Sequence, residues 1–430
     1  MIRTHIELCY IPREEADALN LASGALYTQV MVYHWRVYRK QGVWLSGNAA
    51  ERWNDRINGN TLLYAHAADA AQQGFYKACT TTRTLRKCGI EAKFPHRRKR
   101  YRTTVWKQSG IRVRDGEILL SRARGVEPIA LPIPESVREA LRILEVRLVY
   151  CKKSRRYFWH IVYENGKQPK SSPGDKVVAV DLGEVHPAVV GNEQEATLVT
   201  CRERRYEVQG FNKRLAQISQ AQSRKRKGSR AWHRLRNAKN RLKAKHQQVM
   251  RDLDHKISRI IVDTAVEHHA GTIVLGDIRD ISNGVNLGKQ TNQKVSNWSH
   301  GKVRQYVEYK AEAEGIKVET ISEAYSSQTC PFCGHRHKPQ GRWYTCPSCG
   351  FQAHRDVVGM ANILSRYRHG EVGKIPPPEQ LKQRRPSELR SKGSVWLRGR
   401  MRRRPGTGQV SKKETCLPVA CSQLQEAAGL

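Results

Sequence analysis

Four cysteines confined to residues 330–349 constrain this chain more tightly than any other feature. The stretch CPFCGHRHKPQGRWYTCPSCG places Cys330, Cys333, Cys346 and Cys349 as two C-x2-C pairs. Two thiolates at that spacing share one tight knuckle, and two knuckles can close a tetrahedron around a single zinc ion. Gly334 and Gly350 follow their pairs by one residue, where the backbone must turn around the metal. Four thiolates leave no open coordination position, so the expected zinc is structural. A pair of redox dithiols is the competing reading, but it does not call for two matched knuckles. His335, His337 and His354 are near in sequence, yet the cysteines already fill the site. The other seven of the eleven cysteines are scattered, which suits a reduced compartment with one metal site and ordinary thiols.

The 430 residues suffice for two or three domains. Lys and Arg number 77 against 39 Asp and Glu, a net charge of +38. A surface this basic repels itself unless it meets a polyanion, and nucleic acid is the expected one. No long apolar run or amphipathic anchor favours an anionic membrane instead. The opening MIRTHIELCYIPREEA lacks the apolar centre of a signal peptide, so a cytoplasmic location is expected.

Residues 2–10 alternate, with Ile2, Thr4, Ile6 and Leu8 opposite Arg3, His5 and Glu7, and read as a strand. Leu19, Leu26, Val30 and Val37 give a helix over about 13–39. HRRKRYRTTVWK (96–107) is basic, with Tyr101 and Trp106 expected to stack on bases or, in the plainer reading, a charged edge hairpin. Residues 142–164 read as a hairpin around KKSRR, and NGKQPKSSPGD (165–175) as a linker. KVVAVDLG (176–183) is a continuous apolar run ending in an acid, which fits a buried central strand. PAVVGN and ATLVTC follow as strands. Residues 206–268 read as a long helical hairpin whose turn, RKRKGSR, is strongly basic. TIVLGDI is a strand, 296–315 a helix ending at Gly315, KVETISEAY a strand and 355–368 a helix. Trp298 is assigned to core packing rather than base contact. This order, three strands and then alternating helices and strands, predicts an α/β, ribonuclease H-like architecture.

Phosphodiester hydrolysis by paired cations needs a few carboxylates around ions ~3.5–4 Å apart. Asp181, at the end of the buried strand, is the first candidate, because an unpaired carboxylate there is costly. A cap or solvated strand end is the plainer alternative. Asp356, in HRD at the start of the last helix, is the second candidate; alone it would also suit a helix N-terminus.

VVAVDLG, TIVLGD, NWSHGKVRQYVEYKA and EAYSSQTCPFCGHRHK…YTCPSCGFQAHRDVVGMANI, in this order, resemble the TnpB family. These OrfB-type insertion-sequence proteins are RNA-guided DNA endonucleases related to type V CRISPR effectors. The resemblance covers about 176–368. It implies an α/β (α+β) multi-domain chain. Residues 1–170 would be a β-barrel-like (wedge) region with a helical recognition insert. Residues 171–325 and 354–369 would form a RuvC-like nuclease domain, interrupted by a zinc ribbon at 326–353 and followed by a disordered basic tail at 370–430. It carries Asp181 and Asp356 over as RuvC carboxylates and the four cysteines as zinc ligands. Magnesium is the implied catalytic cation, with manganese as the alternative, because the ligands are hard oxygens. The implied partners are a transposon-derived guide RNA and double-stranded target DNA beside a short flanking motif, and the implied setting is a prokaryotic nucleoid.

The chain departs from the family pattern twice. Val358 stands where Asn is frequent, although Asn362 is retained, and Gly276 stands where the second motif usually carries Glu. Asp277 is adjacent but belongs to the other strand face unless a bulge turns it. Glu323 ends KVETISEAY, a strand expected beside the one ending at Gly276, and strands ~4.8 Å apart let a Glu reach across. Glu323 is the preferred completion, as in a rearranged-glutamate subset of the family; Asp277 and an inactive site stand behind it. The rival to a nuclease is thus an RNA-guided repressor on the same scaffold, and then a generic zinc-ribbon DNA-binding protein. A basic stretch at 224–246 without one acid is expected to contact the RNA–DNA backbone.

Overall fold

A computed structural model of the chain describes residues 1–57, 62–152, 154–278, 288, 292 and 300–389. The chain divides into two compact units, Met1–Gln168 and Pro169–Leu430.

The first unit contains β1 (Ile2–Leu8), helices α1 (Arg13–Gln41), α2 (Gly47–Ile57) and α3 (Ala65–Lys87), then β2 (Thr104–Lys107), β3 (Ile111–Arg114), β4 (Glu117–Leu120), β5 (Ile129–Pro132), β6 (Arg142–Cys151) and β7 (Arg156–Glu164). One sheet has the order β1-β7-β6-β2 and another β3-β4-β5. They share a core in which Ile118, Leu120 and Leu131 meet Val146, Leu148 and Trp159. The alternation in β1 is real, but the side bearing Ile2 and Ile6 is the outer one, with those residues 65 % and 37 % exposed. Trp106 is not available to bases, contrary to expectation. It is 1 % exposed, donates from Nε1 to the Ser121 carbonyl at 2.8 Å and meets Trp159 edge-on. Tyr101 is exposed.

The second unit contains β8 (Lys176–Asp181), β9 (Ala188–Gly191), β10 (Glu195–Val199), α4 (Arg202–Ser223), α5 (Arg230–Glu267), β11 (Ala270–Asp277), α6 (His300–Ala313), β12 (Lys317–Ser322), β13 (Trp343–Thr345), β14 (Gln352–His354), α7 (Arg355–His369) and β15 (Gln380–Arg384). Six strands form one sheet in the order β12-β11-β8-β9-β10-β15. β8, β11 and β12 run parallel, and β9 is antiparallel to β8 and β10. Burial of both faces explains the unbroken apolar run of β8. Val178 and Val180 pack with α5 and α6, whereas Ala179 packs with α7. The α/β, ribonuclease H-like architecture read from the element order is present, with the four-cysteine ribbon between β12 and α7.

Two corrections concern ends. Residues 370–389 are not part of a tail, because β15 pairs in parallel with β10 through five residues from Gln380 to Arg384. Strand β12 stops at Ser322, not Tyr325. There the Ser326 N–H donates to the Glu323 carbonyl, and Tyr325 takes φ +65°, which ends extended structure. Trp298 and the proposed tail from 390 lie outside the described residues. No described helix is long and apolar enough to cross a membrane.

Candidate functional site

The ends of three neighbouring parallel strands build the site. Side chains alternate faces, so Asp181 shares the face of Ala179 and Gly276 that of Val274, while Glu323, one residue past the end of β12, reaches the space above Gly276. Ala179, Val274 and Ile321 all pack toward α7. Helix α7 begins at Arg355 and carries Asp356 in its first turn. The carboxyl ends of β8, β11 and β12 therefore bring Asp181 and Glu323 to the helix that bears Asp356. Asp181, Asp277, Glu323 and Asp356 line one cleft of about 880 Å³.

Two glycines make room for two acids. A Cβ at Gly276 would lie 2.5 Å from Oε2 of Glu323 and 3.0 Å from Cδ1 of Ile363. The space a side chain at 276 would take is thus filled by Glu323 from the next strand. A Cβ at Gly359, inside α7, would lie 2.5 Å from Oδ2 of Asp181. A mid-helix glycine weakens a helix by ~1 kcal/mol, so its presence marks this close approach. Asp277 pairs in register with Ser322; strand parity assigns it to the Leu275 face, yet it still borders the cleft.

The electrostatics separate the acids. Burial, then the charges of Glu323 and Asp356, push Asp181 well above the ordinary carboxylate range, against the pull of Arg355. Burial, then the charge of Asp277, push Glu323 up to about 7. Its Oε2 is buried and has no hydrogen-bond partner among the described residues. Burial also acts to raise Asp356, but His186, His354 and Arg342 outweigh it and hold this acid below its usual value. Nδ1 of His186 is 2.8 Å from Oδ2 of Asp356, and Nη1 of Arg342 is 3.3 Å from both oxygens. An acid-rich cleft holding an orphaned carboxylate oxygen fits a hard divalent cation.

Other residues hold this arrangement in place. Arg366 on α7 donates from Nη1 to the Ser322 carbonyl at 2.6 Å and from Nη2 to the Ala324 carbonyl at 2.8 Å. These carbonyls flank Glu323. Asn362, fully buried, donates to the Ser326 and Thr329 carbonyls at 2.7 and 2.8 Å and accepts from the Gly373 N–H. Sequence reasoning noted Asn362 but missed Arg366, Arg342, His186 and Gly359. Of these, only the glycine inside a helix carried a signal.

The ribbon cysteines converge. Sγ of Cys330 is 3.6 Å from that of Cys349, and Cys333 is 3.5 Å from Cys346, with all four sulfurs within 4.8 Å of one another. Tetrahedral Zn–S bonds of ~2.3 Å put sulfurs roughly 3.8 Å apart, so the cluster fits zinc. The knuckles match: the Gly334 and Gly350 N–H groups return to the Cys330 and Cys346 carbonyls, at φ +72° and +73°. Val358 is buried with Cys330, Tyr344 and Cys346. The valine found in place of the frequent asparagine thus packs α7 against the ribbon.

Comparison with known proteins agrees with this layout. Residues 160–282 match the IS605 OrfB family, described as a probable transposase, and residues 300–363 match the Cas12f1-like TNB domain. TnpB-like protein MJ0751 of Methanocaldococcus jannaschii is 28 % identical over 148 residues, 34 % of this chain and 52 % of that protein. The CRISPR-associated endodeoxyribonuclease Cas12f1 of Sulfoacidibacillus thermotolerans is 27 % identical over 226 residues, 50 % of this chain and 52 % of that one. The chain thus spans about half the length of these curated relatives. A Cas12f1–sgRNA–target DNA complex superposes with a TM-score of 0.57 at 13 % identity, over 82 % of this chain and 83 % of that one, a likeness of fold. Both matched segments fall largely on the unit whose strand ends carry the acids and whose insert carries the cysteines, and the chain belongs to the TnpB family.

Proposed function

We propose that the protein is an RNA-guided DNA endonuclease encoded by an insertion sequence, with Asp181, Glu323 and Asp356 as its metal-binding carboxylates. One observation carries this reading. Glu323 occupies the space above Gly276, in the cleft shared with Asp181 and Asp356, which supports the reading that the acid missing from the second motif is supplied from beside it. The relatives' names and the guide-bound neighbour supply the substrate class. Magnesium ions held there would activate water and stabilise the departing 3′ oxygen. The chain's own groups concentrate negative charge, and Arg366 fixes the backbone on both sides of Glu323. Zinc held by Cys330, Cys333, Cys346 and Cys349 would tie the ribbon to α7.

Guide RNA pairing with one target strand would supply specificity, and the protein would read the heteroduplex by shape together with a short flanking motif. In the helical hairpin α4–α5, eleven Lys and Arg lie within 224–246. None of them has a carboxylate partner among the described residues, which suits phosphate contact.

The test is cleavage by protein carrying its copurified RNA. Asp181→Asn, Glu323→Gln and Asp356→Asn are each expected to lose cleavage by a factor of about 100 or more while guide and target binding persist. Asp277→Asn is expected to be milder. Full activity of Glu323→Gln with none in Asp277→Asn would move the role to Asp277. Guide-dependent binding without cleavage by the wild type would make the protein an RNA-guided repressor.

A further inference from the structure

His186, in the turn between β8 and β9, and His354, before α7, stand beside Asp356. The three side chains offer ligand atoms that all lie within 4.8 Å of one another. Nδ1 of His186 is 2.8 Å from Oδ2 of Asp356, the two imidazole rings are 5.2 Å apart, and all three residues are half-buried. Neighbouring ligands on one cation with bonds of ~2.0–2.2 Å stand roughly 3–3.5 Å apart. Only small side-chain shifts would close this cluster on an ion. Within the cleft itself, Asp181 and Glu323 offer oxygen alone. Arg342, with its side chain 49 % exposed, reaches both oxygens of Asp356 and must yield to an ion; Nδ1 of His354 accepts the Asp356 N–H, so that ring offers Nε2.

We infer that His186, His354 and Asp356 form a nitrogen-bearing cation subsite that prefers manganese(II) to magnesium. The inference rests on the reading of the cleft as cation-binding and goes beyond it, because carboxylates alone would not set this preference. Magnesium keeps to oxygen ligands and dehydrates reluctantly, whereas imidazole is a natural ligand for first-row transition ions. The two imidazoles stand beside the cleft rather than in its lining and meet it through Asp356, so nitrogen is offered only on the far side of that carboxylate.

The experiment titrates manganese(II) into the full-length protein with its ribbon loaded with zinc. Bound manganese is counted by electron paramagnetic resonance, and its ligands are read from ¹⁴N modulation of the electron spin echo. The expected result is bound manganese with ¹⁴N coupling. In His186→Gln the coupling should weaken and manganese affinity should fall about tenfold or more, and further than magnesium affinity falls. His354→Gln provides the same comparison if the first variant does not fold. Bound manganese without ¹⁴N coupling, or coupling unaltered in both variants, would overturn the inference and leave the carboxylate reading standing. If no manganese binds that Asp181→Asn can weaken, both fall together.

Discussion

At the scale of single residues, the proposed site turns on a glycine and the glutamate that fills its space. Gly276 is small because Glu323 needs its volume: a methyl group there would meet Oε2 at 2.5 Å. Gly276→Ala is therefore expected to impair cleavage although it removes no acid, while Asp277→Ala at the next position should be tolerated better. Equal loss in the two variants, measured with the same guide and target, would contradict the parity argument. The protonation of Glu323 gives a second test. Burial raises its carboxyl from 4.5 to about 7. Between these values the folded protein holds a proton that the unfolded chain has lost, so this group's contribution to stability declines as pH rises through that window. Without divalent cation, Glu323→Gln should then melt higher than the wild type at pH 8, and the gap should narrow toward pH 5. Magnesium at pH 8 should reverse the order, because only the wild type gains a ligand-bound state. A gap that is independent of pH and of magnesium would mean that Glu323 neither carries the raised pKa nor binds the ion.

At the scale of elements, what could be read from sequence follows from where each element buries its side chains. β8 declared itself by an unbroken apolar run, since helices cover both its faces, and the ribbon declared itself by cysteine spacing. β15 did not: QLKQR carries one apolar residue and forms the sheet's edge, where a strand needs little burial. The proposed site was legible as residue types but not as an assembly. Asp181, Glu323 and Asp356 could be named, yet the hydrogen bonds that place them span 44 residues from Arg366 to Ser322 and 170 from His186 to Asp356, and no local pattern encodes these. Arg366 shows what the fold adds. Its two donors grip the carbonyls on either side of Glu323, so it acts through the backbone as a positioning residue. Arg366→Met should lower cleavage by about 10–100-fold and raise the magnesium concentration needed for half-maximal rate. The melting temperature should change little, because the side chain is only partly buried. Arg366→Lys should recover part of the loss, since one ammonium can still reach a carbonyl. A drop in rate with unchanged magnesium dependence would make the clamp merely structural.

At the scale of the whole molecule, a net charge of +38 has to be reconciled with folding. Like charges repel over about a Debye length, ~10 Å at 0.1 M salt, so a chain this basic is best matched by a polyanion that screens it. The α4–α5 hairpin concentrates the imbalance. Arg224, Lys225, Arg226 and Lys227 are all exposed at its turn, where Gly228 adopts φ +89°, and Ser229 caps α5 by accepting from the Trp232 N–H. The cap and the glycine set the turn, so these four cations are free of structural duty. Replacing all four by Gln should leave the melting temperature nearly unchanged. If the protein neutralises six to ten phosphates, affinity for nucleic acid should fall ~10³–10⁵-fold between about 50 and 200 mM salt. Every phosphate that the quadruple variant no longer neutralises should flatten the slope of log K against log salt by about 0.7 to 0.9. Comparison of that slope in the wild type and the variant, on the same guide and target, reads the hairpin's contribution directly. An unaltered slope would take the turn out of the interface and leave the excess charge elsewhere to account for binding.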